Sequence, residues 1–148
     1  MRKTNLPSPC KSPTTYYIWL GGSCDYGHQE RYGGGAYLIE YQGKIMETYV
    51  ISDVHTTEFR MMLSVMIHAL ECLPEGSDIC FLTNVSYLQN FDKTPTEKSA
   101  NADLIEQCIA VKQRHAAVLL RLVPYHKYPQ LPETHRIAHE AMLQLRQP

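Results

Sequence analysis

The sequence predicts an α/β domain, a mixed five-stranded sheet covered by helices in the order β-β-β-α-β-α-α-β-α. Three observations lead there. First, three strand-like runs lie between Tyr16 and Ile51. Short loops join them, so they are antiparallel neighbours. Second, a long amphipathic helix follows, from Thr56 to Leu73. Third, strand and helix alternate from there to the end, which is how a sheet gains its outer layers. A chain of 148 residues is one domain by size, with neither an internal repeat nor a second domain.

Each element has a local reason. Met1 to Thr15 is rich in proline, serine and threonine, and reads as a flexible N-terminal tail, residues 1–15, ahead of a domain spanning 16–148. Tyr16-Tyr17-Ile18-Trp19-Leu20 is aromatic and β-branched, as strands are, and Gly21-Gly22-Ser23 is expected to end it. After a polar loop, Cys24 to Tyr32, the glycines Gly33-Gly34-Gly35 lead into a second strand, Ala36 to Tyr41. Gln42-Gly43 is a two-residue hairpin turn. Lys44 to Ile51 makes the third strand, with Ile45, Glu47, Tyr49 and Ile51 on one face.

In the long helix, Thr56 or Thr57 can cap the N-terminus with its hydroxyl. Glu58 sits in the first turn, where the helix dipole favours a negative charge. Met62, Met66, Ala69, Leu70 and Leu73 share one face, and Pro74 and Gly76 end the helix. Asp78–Thr83 is a near-continuous apolar run, as expected of a strand buried on both faces. Val85 to Phe91 reads as a short helix. Asn101 can cap a helix from Ala102 to about His115, with Leu104, Ile105, Cys108, Ile109 and Val111 near its inner face. Ala117 to Val123 is the last strand, and Glu133 to Leu145 the last helix.

Composition narrows the function classes. The formal charge is −1, which lacks the Lys and Arg excess of most chains that live on nucleic acid. No apolar run approaches the roughly 20 residues that span a bilayer, and the N-terminus lacks the apolar core of a signal peptide. The expected location is the cytoplasm, with no membrane partner. The five cysteines form no Cys-x-x-Cys pair. Cys72, Cys80 and Cys108 lie in apolar stretches and read as reduced, buried thiols.

Four local patterns resemble ribonuclease H over about Tyr16 to Leu145. Gly22-Ser23-Cys24, the glycine run and Ala36-Tyr37 are similar to that family's first strand, loop and second strand. Thr56-Thr57 with Arg60, Leu63 and Ala69-Leu70 is similar to its central helix. Thr83, Ser86, Tyr87 and Leu88 match its fourth strand and following turn. Asn101, Asp103-Leu104-Ile105, Val123, His126, Glu133 and Ile137-Ala138 resemble its closing section. Their order and spacing agree with the predicted elements, so the resemblance implies a ribonuclease H-like fold.

The resemblance also implies a reaction. The family cuts the RNA strand of an RNA–DNA hybrid with two Mg²⁺ or Mn²⁺ ions. Four carboxylates hold them, because such ions want hard oxygen ligands. In this chain the four corresponding positions carry Gly21, Met62, Asn84 and His135 (a one-residue shift would make the last Arg136). None is a carboxylate. The expectation is therefore a divergent member without two-metal catalysis and without a metal cofactor, acting as a binding or assembly module. Its expected partner is an RNA–DNA hybrid or structured RNA, through Ser23, Cys24, Thr57, Asn84 and His126, with Arg60 nearby. A protein partner or a second copy of the chain is the alternative. So is an active nuclease with a rearranged site.

Such a rearranged site would draw on Glu58, one turn from Met62, with Asp25, Asp53 and Glu133. Each has a plainer reading as a helix-end or solvated acid. His135 and His139 are spaced i, i+4, which can chelate a transition metal, and His126 is a third imidazole. Surface or packed histidines explain the same pattern. Tyr26, Tyr32, Tyr125 and Tyr128 lie in loops that would flank the cleft, and could stack on bases or form a protein interface.

Overall fold

The computed structural model describes residues 9–96 and 100–147. The strands are β1 (Thr15–Cys24), β2 (Gly33–Tyr41), β3 (Lys44–Asp53), β4 (Asp78–Thr83) and β5 (Ala117–Leu122). The helices are α1 (Glu58–Cys72), α2 (Ala102–Lys112) and α3 (Gln130–Arg146), with a 3₁₀ turn at Ser86–Asn90. The sheet order is β3-β2-β1-β4-β5. β2 pairs antiparallel with β1 and with β3, whereas β4 pairs parallel with β1 and with β5. The mixed five-stranded sheet flanked by helices is thus the observed architecture.

The sheet has an apolar core on each face. Ile18, Leu20, Tyr37, Ile39, Ile79, Phe81 and Val118 pack against α1 and α2. Tyr17, Trp19, Leu38, Cys80 and Leu82 form the other core with Val123 and Leu131. α3 crosses β1, β2 and β3 on that second side. Helix α1 is buried almost all round, at Met61, Met62, Leu63, Val65, Met66, Ile67, Ala69 and Leu70, because the sheet lies under it and α2 beside it. Trp19 Nε1 donates to buried Glu40 Oε1 at 3.1 Å, and Gln130 Nε2 donates to the same oxygen at 3.2 Å. That carboxylate ties β1, β2 and α3 together.

Several local expectations are met. Thr57 is the N-cap of α1, its hydroxyl accepting from Arg60 N at 3.2 Å. Gln42 and Gly43 both have positive φ, 52° and 80°, the geometry of a two-residue hairpin turn. Others need correction. Gly21 to Ser23 do not end β1, and Gly33 to Gly35 do not merely lead into β2; all six are paired across the two strands. Five of the six are glycine, and at Gly21, Gly34 and Gly35 a helix backbone leaves no room for a Cβ. A Cβ on Gly34 would stand 2.0 Å from the Ala138 carbonyl oxygen, and one on Gly35 would stand 2.8 Å from that of Met61.

β3 has an extra residue. Ile39 pairs with Glu47 and Glu40 with Ile45, leaving Met46 as a bulge. The bulge flips the alternation, so Ile45 and Glu47 face opposite sides and not the same one. Asn101 does not cap α2 with its side chain. Its φ is +65°, and its Oδ1 accepts from Arg60 Nη1 at 3.0 Å. Helix α3 starts at Gln130, earlier than expected, because Pro132 falls within its first turn, where a missing N–H costs nothing. Cys72 is exposed, while Cys80 and Cys108 are buried. The apolar pattern around Cys72 belongs to its neighbours on α1. Of the expected tail, residues 1–8 lie outside the described residues. Among the described residues no helix is long and apolar enough to cross a membrane.

The glycine contacts give a direct check. Gly34→Ala should destabilise the fold by about 3 kcal/mol, the upper range of overpacking costs, in a urea unfolding curve. Gly43→Ala, with open space around it, should cost less, about 1 kcal/mol for the left-handed backbone alone.

Candidate functional site

Gly21, Met62, Asn84 and His135 come from β1, α1, the end of β4 and α3, and they line one cavity of about 300 Å³. Gly22, Glu58, Val85 and Tyr125 share its wall. The elements explain the convergence. β1 and β4 are adjacent and parallel, so their C-terminal ends open side by side. α1 begins above them and α3 crosses below. Met62 fills the space over the strand: it is 1% exposed, and a Cβ on Gly22 would meet its Cγ at 2.6 Å.

Gly21 is tightly enclosed. A Cβ there would stand 2.6 Å from the Thr134 carbonyl carbon and 2.7 Å from His135 N. These are backbone atoms, which cannot swing aside as a long side chain could. His135 is fixed beside them, its Nδ1 3.1 Å from the Gly22 carbonyl oxygen. That oxygen can only accept, so Nδ1 is the donor in this contact.

Glu58 is the acidic residue of the cavity wall, and it is already engaged. Tyr87 donates its phenol to Glu58 Oε1 at 2.6 Å, and Glu58 N donates to Tyr26 Oη at 3.2 Å. Burial, then the Glu58 carboxylate, push the Tyr87 phenol well above its ordinary value, so it stays a neutral donor. A second hollow of about 690 Å³ meets the cavity at Glu58, lined by Tyr26, Phe59, Tyr87, Asn90 and Lys93 among others. No local spacing could have revealed the Tyr87–Glu58 pair, since the two residues lie 29 apart.

The other expected groups are dispersed. Of Ser23, Cys24, Thr57, Asn84 and His126, Asn84 alone lines the cavity. Ser23 is buried against α3, its Oγ 2.9 Å from His139 Nδ1. Cys24 Sγ donates to the Thr56 carbonyl. Thr57 is spent on its cap. His126 is exposed, edge-on to Tyr125. Arg60 forms a two-pronged pair with Asp103, at 3.1 and 3.0 Å. Among the candidate acids, Asp25 pairs with Arg146 and His28, Glu133 with Arg136, and Asp53 accepts from Val54 N. The His135 and His139 rings lie 6.1 Å apart and nearly parallel.

Two Mg²⁺ or Mn²⁺ ions call for hard oxygen ligands, about six per ion. The cavity's side chains supply one carboxylate, one amide, one imidazole, one phenol and one thioether. That donor set does not fit such a pair. Among the described residues no group of three or more His, Cys, Asp or Glu could hold a metal ion.

Solved structures share this architecture. The chain superposes on LC9-RNase H1, a type 1 RNase H with the type 2 active-site motif, with a TM-score of 0.73 over 95% of this chain and 75% of that one. This is a ribonuclease H-like fold. RNase H1 from the halophilic archaeon Halobacterium salinarum NRC-1 is also similar, with a TM-score of 0.69 over 88% of this chain and 98% of that one. The identities are 21% and 12%, so the likeness to these ribonucleases H is one of fold. No protein-family model matches the chain, and no curated protein does.

Two outcomes follow from the ribonuclease H-like geometry. Gly21→Asp should unfold the chain at lower urea than Asn84→Asp does, because only the first drives a side chain into the α3 backbone. Asp25 supplies a pH signature. Desolvation would raise its pKa, but hydrogen bonds from Arg146 and from Gly27 N–H outweigh that and hold it below the ordinary carboxylate value. A depressed folded-state pKa stabilises above the unfolded value, about 3.9, and the stabilisation is lost as pH falls through the folded one. Asp25→Asn should therefore melt below the parent at pH 7, with the gap closing below about pH 4 in a thermal-melt series.

Proposed function

We propose that this ribonuclease H-like domain does not perform two-metal hydrolysis and acts as a binding module, with RNA–DNA hybrid or structured RNA as its partner. One observation carries the first half. The four positions where the family would place carboxylates, Gly21, Met62, Asn84 and His135, line one cavity, and their chemistry holds no pair of hard cations. The α3 backbone against Gly21 supports the same reading, because a carboxylate cannot return there without moving a helix.

The fold supports a nucleic-acid partner, and Asn84, Lys93 and the aromatic rings of Tyr26, Phe59 and Tyr87 supply polar and stacking groups around the cleft. A second reading, a protein-binding or self-associating scaffold, is favoured by the charge of −1 and by the α1 N-terminus. There Glu58 N–H already has Tyr26 as partner, and Glu58 places a negative charge where a phosphate would approach.

The two readings separate by salt. Purified protein should leave a labelled RNA–DNA hybrid intact in Mg²⁺ or Mn²⁺, and should retard it in a gel at low salt, with binding that weakens as salt rises. Retardation lost in Lys93→Ala would place the contact at this cleft. Absence of any retarded species at low salt would reject nucleic acid and leave the protein scaffold. Metal-dependent cleavage abolished by Glu58→Ala would reject the non-catalytic reading in favour of a rearranged site.

A further inference from the structure

The sheet ends at β3, with β2 between it and the strands whose ends frame the cleft. Among the described residues no strand lies on its outer side, so every second backbone N–H and C=O along that edge lacks a ladder partner. Four large apolar residues on the strand or just past it are exposed: Ile45, Met46, Val50 and Val54. Chains commonly guard such an edge with lysine, proline or a bulge. Here Lys44 and the Met46 bulge guard only the first three residues. Glu47 to Ser52 carries neither lysine nor proline.

The edge is complementary to itself. Two identical strands pair antiparallel about a twofold axis normal to the sheet, which keeps each face on its own side. Glu47, Tyr49 and Ile51 face the α1 side, and Thr48, Val50 and Ser52 the α3 side. With Tyr49 on the axis, Glu47 comes opposite Ile51, and Thr48 opposite Val50 of the second copy. The bulge takes Met46 out of the count. Ile45 then falls opposite Ser52, and Lys44 opposite Asp53, at both ends of the ladder. Among the described residues neither Lys44 nor Asp53 has an ion-pair partner. The neighbouring registers are poorer. With Val50 on the axis Glu47 faces Asp53, two like charges, which is destabilising. With Thr48 on the axis Lys44 faces Ile51, and no opposite charges meet.

We propose that β3 is a self-association edge, at which two copies of this chain join their five-stranded sheets into one continuous sheet. The occupant is a second copy because a strand identical to β3 supplies both end charges in one register, an Asp53 for Lys44 and a Lys44 for Asp53. The contact is isologous, so it closes at two chains. It covers Val50 with Thr48 and gives the open backbone groups from Glu47 to Ile51 their partners. The opposite edge is a poorer candidate. β5 has six residues against the ten of β3, and Arg121 on it already donates to the Pro9 carbonyl at 3.2 Å. This association goes beyond the reading of the cleft and does not depend on what the cleft binds.

Sedimentation equilibrium of the reduced full chain tests this. The parent should run at twice the monomer mass, with no larger species. Val50→Lys sets a lysine on the open edge and should weaken the dimer by about tenfold, with an unchanged circular dichroism spectrum. Lys44→Glu turns two ion pairs into two like-charge contacts and should also weaken it by about tenfold. Adding Asp53→Lys to Lys44→Glu should restore the dimer. A parent that stays monomeric up to about 100 μM, an open series of larger species, a dimer that withstands Val50→Lys or Lys44→Glu, or a charge swap that restores nothing would overturn the proposal. The Lys44 and Asp53 variants decide the matter should Val50→Lys fail to fold. Hybrid binding at the cleft is read in the gel with Lys93→Ala, so either reading can fail without the other.

Discussion

The structure depends on the close approach of α3 to the glycines of β1 and β2. Only a residue without a Cβ fits at Gly21 beneath Thr134 and His135, or at Gly34 beneath Ala138. That approach buries Leu131, Ala138 and Met142 on the sheet. It also sets Ser23 within reach of His139 and the Gly22 carbonyl within reach of His135. The same constraint shapes the cleft, because its floor is packed with helix backbone at the position where a first metal ligand would have to project.

The rest of the cleft is consistent with that floor. Met62 occupies the roof as an apolar plug, 1% exposed. Glu58, one turn away, is held by Tyr87, and Tyr26 covers the backbone N–H of Glu58. Groups that could have met a phosphate or a cation are thereby satisfied within the chain. What remains open is a rim of aromatic and amide groups at the ends of β1 and β4. Such a rim is suited to contacts that stack or pack more than to ones that polarise a bond.

Much of the fold was legible in the sequence, because its signals are local. The Gln42-Gly43 turn, the Thr57 cap and the apolar face of α1 follow from neighbours a few residues apart, and each forms as read. The convergence of Gly21, Met62, Asn84 and His135 was legible only through resemblance to a family, since four elements supply them. Long-range packing was not legible. Gly21-Gly22-Ser23 reads as a strand end until α3 is placed against it. The Met46 bulge, which reverses Ile45, leaves no mark in the alternation of Lys44 to Ile51. Asn101 looks like a cap, yet Arg60, 41 residues away, takes its side chain. Exposure of Cys72 likewise depends on where α1 ends over the sheet.

A cleft with a single carboxylate in its wall should hold no catalytic pair of divalent ions, and the number of Mn²⁺ ions bound to the intact chain shows whether it does. Electron paramagnetic resonance during a Mn²⁺ titration should show free ion rising from the first additions, with no spin-coupled pair and no change in Glu58→Gln. Two Mn²⁺ ions bound per chain with a coupled spectrum, lost in Glu58→Gln, would mean that the cleft carries a working two-metal site.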